Sequence, residues 1–223
     1  MLELHLIDHV CLRVADLDEA ARRWAIQFGL TERSRTDGRV ALSCDDEPCA
    51  LELVTAGTNG YDAAPGLEHV GYELARGCSL EDAAAHFDGL GVAYERLEDA
   101  HGVPSLLVRD LEGNRVQILP YREPEDRWVQ HARPADIQPV GHPRKLGHVN
   151  FLTARINEQL EWYREALGMR LTDWLGDGGC WLHINADHHV MALVNKGYSH
   201  FHHLAFEVID IGQMRAALDQ LAR

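Results

Sequence analysis

Seven of the fourteen histidines in this 223-residue chain lie between His148 and His203. An imidazole can ligate a metal or move a proton near neutral pH, so the positions of these rings matter more than their number. Four of the histidines open the same pattern: "IDHVCLRV" surrounds His9, "LEHVGYEL" His69, "LGHVNFLT" His148 and "FHHLAFEV" His203. After each histidine the positions +1, +3 and +5 are apolar, except that Thr153 fills +5 behind His148. Period two marks a strand with one packed face, and it puts each imidazole on the opposite face. A lone histidine beside an apolar run is ordinarily a core residue. Four in one register are a repeat.

What must position these rings also repeats. "DLDEAARRWAIQFGL" follows His9, with Leu17, Ala20, Ala21, Trp24 and Phe28 at helical spacing behind an Asp16 N-cap and with Glu19 three residues on. "INEQLEWYREALGM" follows His148 with Leu160, Tyr163 and Leu167 in the same rhythm. "SLEDAAAHFDGLGV" follows His69, and "IDIGQMRAALDQLAR" follows His203. A glycine suited to ending a helix falls twenty residues after the histidine in three units, at Gly29, Gly89 and Gly168. Short strand patterns come next, with "LEGN" as a hairpin turn in unit two. Each unit therefore reads βαβββ, and the fold class is α+β, built of tandem modules.

Five of the eight prolines fall between Pro120 and Pro143, which predicts a linker over 122–145. It separates an N-terminal pair of modules, 1–121, from a C-terminal domain, 146–223. The sequence reaches Arg223 twenty residues after His203, so the fourth module is expected to be incomplete, as a fragment or as a half-lost module.

The net charge of −14 argues against nucleic-acid backbone binding. No apolar run approaches the length of a membrane span, and the N-terminus has no basic region before an apolar stretch. Five cysteines without a C-x-x-C pair fit reduced thiols in a cytoplasm better than a disulfide framework or a zinc ribbon.

Paired βαβββ modules, each opening on a His-bearing strand, resemble the vicinal oxygen chelate superfamily of glyoxalases, bleomycin-resistance proteins and extradiol dioxygenases. Two pairs in tandem look like a two-domain extradiol catechol dioxygenase. The resemblance implies a second domain that holds iron(II), or in some members manganese(II), through two histidines and a glutamate. "GHVN" and "HHLAF" look like its two histidine-ligand strands, which implies metal ligands at His148 and His203. His189 lies fourteen residues before His203, where homoprotocatechuate-type members carry an acid–base histidine. Trp181 and Asn150 match positions that line the pocket, although Trp181 reads equally as core. His188 and His200 are neighbours that compete with His189 for its role, and His202 reads as a residue behind the ligand or on the surface. The implied partners are a small aromatic diol and O2, with assembly as a homo-oligomer.

Physical chemistry agrees with the carry-over. His148 and Asn150 share one face of a strand while Val149 and Phe151 pack on the other. Two imidazoles and a carboxylate on one side of iron(II) leave open positions for both catechol oxygens and dioxygen. A nearby imidazole, with an ordinary pKa of about 6.5, accepts a phenolic proton and later returns it.

One part of the pattern is missing. Gln117 lies forty-eight residues after His69, where the family's carboxylate would come, and the same offset from His203 passes Arg223. Glu207 is on the right strand but too near His203 to replace it. Two protein ligands alone would bind iron weakly, which predicts an inactive or weakly active chain. In the first domain His9, Glu52, His69 and Gln117 resemble the four-ligand set of glyoxalase I, yet Gln117 cannot abstract a proton, and that domain is expected to be metal-free. The rival readings are a glyoxalase-type metal-dependent lyase or isomerase, and a non-catalytic binding protein like those of bleomycin resistance.

Overall fold

The local signals in the sequence become elements in the order the repeat requires. The computed structural model describes residues 2–44, 49–98, 102–123 and 141–222. The first module comprises β1 (Leu4–Val14), α1 (Leu17–Phe28), β2 (Thr31–Thr36), β3 (Arg39–Ser43) and β4 (Leu51–Thr55). The second comprises β5 (Gly66–Leu74), α2 (Leu80–Leu90), β6 (Tyr94–Glu98), β7 (Pro104–Arg109) and β8 (Arg115–Leu119). The third comprises β9 (Lys145–Thr153), α3 (Ile156–Leu167), β10 (Arg170–Leu175), β11 (Gly179–His183) and β12 (Met191–Asn195). β13 (His200–Glu207) and α4 (Ile211–Leu221) follow. The fold is mixed α+β, in βαβββ modules.

Each of the three modules pairs its strands alike. The last three strands form an antiparallel meander, and the final one lies parallel to the first: β4 on β1, β8 on β5 and β12 on β9. A helix bridges the first and second strands, as a parallel return needs a long crossover. β13 joins the third module's sheet beside β9.

The helix boundaries follow from capping chemistry. Asp16 accepts the Glu19 N–H, and Ser79 and Asp82 form a reciprocal capping box at α2. α1 and α3 end on Gly29 and Gly168 in the left-handed region, at φ 68° and 66°. Gly89 does not end α2. The helix passes through it and stops at Gly91, φ 68°. The reason is where α2 starts: eleven residues after its strand histidine, against eight in α1 and α3, so its end moves on with it.

The chain divides into two compact units, one of Met1–Asp8, His69–Arg122 and Gly147–Ala205, the other of His9–Glu68, Glu123–Leu146 and Phe206–Arg223. In the first, the core takes Val70, Tyr72, Leu74 and Phe87 from the second module and Val149, Phe151, Leu160, Tyr163 and Leu167 from the third. In the other, Val40, Leu42, Leu51 and Leu53 are fully buried. Most of the linker expected over 122–145, residues 124–140, lies outside the described residues. Among the described residues no helix is long and apolar enough to cross a membrane. All five cysteines are free thiols.

Candidate functional site

The alternation along β9 decides which side chains reach the site. Val149, Phe151 and Thr153 are buried on one face, while His148 and Asn150 come from the other. β12 fixes this strand by its parallel register, with Met191 opposite Val149 and Ala192 opposite Asn150. β13 brings His203 to the same place from fifty-five residues along the chain, with its Nε2 3.1 Å from Nε2 of His148. The segment before β12 supplies His189, whose ring centroid is 4.4 Å from that of His148. Trp181, half-buried on β11, stands 6.0 Å from the His189 ring and 5.8 Å from that of His188. The structure thus brings His148, His189 and His203 together with Trp181 at the edge. Asn150 shares the His148 face, and its Oδ1 is buried without a hydrogen-bond partner among the described residues.

Electrostatics keep these rings neutral. The His148 pKa is pushed down to about 4, first by burial and then by His189 and His203. Burial also lowers His203, with His202 adding to it. His189 is lowered by burial and by His188, with Asp187 opposing. A neutral imidazole keeps the lone pair that a metal needs.

Two ring nitrogens held about 2.1 Å from one ion at a right angle would be about 3.0 Å apart. The Nε2 atoms of His148 and His203, at 3.1 Å, fit such a pair. The Nδ1 atoms of His203 and His202 are 2.7 Å apart. A His202 that accepts the Nδ1–H of His203 leaves Nε2 of His203 as the ligand atom, which is how an outer partner selects a tautomer. His188 stands likewise behind His189, at 3.0 Å between Nδ1 atoms. From the sequence, His202 reads as a residue behind the ligand or on the surface, and His188 as a competitor of His189 and not as its partner. Thr172 did not announce itself: its hydroxyl donates to the His188 carbonyl at 2.7 Å and lies 2.6 Å from Nδ1 of His183.

Among the described residues no carboxylate joins His148 and His203 in a three-ligand group. Glu207 is engaged elsewhere. Arg144 donates to it, through Nε at 3.0 Å, and Lys145 Nζ lies 3.4 Å away. The residues singled out in the first two modules also have protein partners. Glu52 faces Arg39 at 3.3 Å, and Arg39 donates to the Tyr61 hydroxyl at 3.0 Å. Gln117 donates to Ser105 Oγ at 2.8 Å. His9 and His69 are both buried.

Residues 6–118 and 145–223 match the family model of the Glyoxalase/Bleomycin resistance protein/Dioxygenase superfamily. The chain belongs to this superfamily. Metapyrocatechase 2 of Cupriavidus necator is 28% identical over 237 residues, covering 99% of this chain and 70% of that protein. An iron-dependent extradiol dioxygenase of Rhodococcus jostii is 24% identical, covering 95% of this chain and 76% of that protein. A structure of a homoprotocatechuate 2,3-dioxygenase variant from B. fuscum superposes with a TM-score of 0.84 at 20% identity, over 99% of this chain and 61% of that one. The likeness to that structure is one of fold. In this chain the histidine strands β9 and β13 lie side by side in one sheet.

Proposed function

We propose that this superfamily member is an extradiol ring-cleaving dioxygenase, acting on a catechol-type aromatic with O2 at a non-haem iron(II) centre, with manganese(II) as the alternative metal. The observation that carries the reading is the convergence of the His148 and His203 Nε2 atoms at 3.1 Å, with the His189 ring beside them. The names of the two relatives support the reaction class. In this reading His148 and His203 hold the metal, His189 is the acid–base residue, and Asn150 and Trp181 line the pocket. Residues 1–121 are a metal-free pair of modules and 146–223 carry the chemistry. The setting is aromatic-compound catabolism in the cytoplasm, with the protein a homo-oligomer.

When bound, the metal supplies positive charge that lowers the phenolic pKa, and open positions for two catechol oxygens and dioxygen. The side chains do the rest. His189, held below the ordinary imidazole value, is an unprotonated base at neutral pH. It accepts a phenolic proton and gives it back as the ring opens. The buried Asn150 Oδ1 accepts a hydrogen bond from a bound hydroxyl, and the Trp181 ring covers a flat aromatic face. One catechol and one O2 yield one ring-opened product containing both oxygen atoms, so no external reductant is consumed. Among the described residues no carboxylate is grouped with His148 and His203. The glyoxalase-type alternative would use Glu52, whose carboxylate lies within 4.8 Å of a His9 ring nitrogen and also faces Arg39.

The test is to load the protein with iron(II) without air, add catechol and then oxygenated buffer, and follow O2 uptake and the ring-opened product. Uptake matching product, lost in His189→Asn, is expected. Iron that stays bound in His148→Ala, or iron-loaded protein inert toward every catechol tried, would sink the reading.

A further inference from the structure

Three of the four described helices carry their own N-terminal acceptor. Asp16 accepts from the Glu19 N–H, Ser79 from the Asp82 N–H, and Asp210 from the Gln213 N–H. The exception is α3, the helix that follows the His148 strand. Arg155 occupies its N-cap with no side-chain cap bond, and a guanidinium has no acceptor to offer. That is an odd choice for a helix start, where a Ser, Thr, Asp or Asn is strongly preferred.

At this corner Thr153 Oγ1 accepts the Arg155 N–H at 3.0 Å, and the remaining acceptors come from another module. In the β7–β8 turn, "DLEGN", Glu112 Oε1 accepts the Ala154 N–H at 2.8 Å, forty-two residues away. Its Oε2 accepts from Gln159 Nε2 at 3.1 Å, and the Thr153 hydroxyl bonds to the same carboxylate. Asp110 Oδ2 accepts from Gln159 Nε2 at 3.0 Å and from the Tyr163 hydroxyl at 2.9 Å. Asp110 is itself locked by its own turn: Oδ1 takes the Glu112 and Asn114 N–H groups, both at 2.9 Å, and Oδ2 takes Asn114 Nδ2 at 2.7 Å. Glu112 is partly exposed, and the groups around it are buried. Asp110 is 6% exposed, Gln159 1%, and Tyr163 and Thr153 0%.

We propose that the Asp110–Asn114 turn is a positioning element for the candidate site: it clamps the β9–α3 corner and so holds the strand that carries His148 and Asn150. The inference rests on the reading of His148 as a site residue. β12 holds β9 sideways through its ladder, and Lys196 and Gly197 N–H groups bind the Thr153 carbonyl at 3.0 and 3.2 Å. The carboxylates close the same corner from the far side. Glu112 thus ties the residue just before the α3 N-cap, and the Gln159 side chain of α3 itself, to the β7–β8 turn.

The experiment compares wild type with Glu112→Ala and the milder Glu112→Gln, in metal-free protein. Two quantities are read: amide exchange at Ala154, and the ring nitrogen and proton signals of His148 in histidine-labelled protein, assigned with His148→Gln. Glu112→Ala is expected to speed Ala154 exchange roughly tenfold or more, as loss of a hydrogen bond to a charged acceptor does, and to shift the His148 ring signals while those of His5 stay in place. Glu112→Gln, which keeps one acceptor oxygen, is expected to fall between, and it serves alone if the alanine variant does not fold. Faster exchange with unmoved His148 signals would overturn the proposal, leaving a local cap. Unchanged exchange would overturn it as well. Neither readout uses iron or catechol, so an inert wild type would count against the reaction and not against the clamp.

Discussion

Two tyrosines in the same compact unit should respond to one chemical change with opposite signs. Tyr72 and Tyr163 are both 0% exposed. The Tyr163 hydroxyl donates to Asp110 at 2.9 Å. The Tyr72 hydroxyl has no hydrogen-bond partner among the described residues, and burial raises its pKa far above the ordinary phenol value. Tyr→Phe keeps the ring and its packing at both sites and removes only the oxygen. At Tyr163 a hydrogen bond to a charged acceptor is lost, about 1.5–3 kcal/mol. Asp110 Oδ2 retains the Gln159 and Asn114 donors, which puts the expected cost in the lower half, about 1.5–2 kcal/mol. At Tyr72 the change removes an unpaired buried hydroxyl, whose desolvation costs about 1–3 kcal/mol, so a gain of about 1 kcal/mol is expected. In a chain of this size 1 kcal/mol moves Tm by about 2–4 °C. Tyr163→Phe should therefore melt about 3–8 °C lower and Tyr72→Phe about 2–4 °C higher. Calorimetry at neutral pH, with urea midpoints as a second measure, reads both. Shifts of the same sign in the two variants would refute the reasoning, because the ring chemistry is identical and only the bonding differs.

Three more outcomes follow from named contacts. His202→Ala removes the partner behind His203 and should weaken iron(II) or cobalt(II) binding by about 10–100-fold in a calorimetric titration, whereas His203→Ala should abolish it; equal affinities would contradict the tautomer argument. Gly29→Ala and Gly91→Ala both force a side chain to φ 68°, a strain of about 1–2 kcal/mol. A Cβ at Gly29 would also meet the His142 Cβ at 2.8 Å, while at Gly91 nothing lies within 4 Å, so urea midpoints should fall further for Gly29→Ala. Burial pushes the Glu112 carboxyl up, but the Ala154 N–H, the Gln159 amide and the Thr153 hydroxyl outweigh it, leaving the pKa below its ordinary value. The stability this carboxylate gives is thus present above an unfolded pKa of about 4.3 and is lost as pH falls through the lowered folded value. Urea midpoints of wild type and Glu112→Gln should differ at pH 7 and converge in acid; a constant gap would show that the carboxylate's charge is not what matters.

Much of the fold is legible because its signals are short-range. The Asp16 cap reaches only Glu19, and the alternation around His148 is complete within six residues of the sequence. The repeat then multiplies each weak signal. Gly89 shows the limit of that method: counting from the histidine assumed equal strand-to-helix spacing, and α2 begins later than its counterparts, so the left-handed cap passes to Gly91.

The sequence by itself determined the module, its βαβββ order and the face on which each strand histidine stands, since periodicity and capping depend on neighbours within a few residues. Its resemblance to the superfamily also pointed to His148, His189 and His203 as one group. Only the tertiary structure decided which ring nitrogens meet across fifty-five residues, that His202 and His188 stand behind two of them, and that Glu207 and Glu52 face cations. It alone revealed that the corner before α3 is tied to a turn forty-two residues upstream. Such partners are set by strand register and by how one module's turn meets the next module's helix. Those distances are fixed only when the sheets have formed, and no local pattern records them.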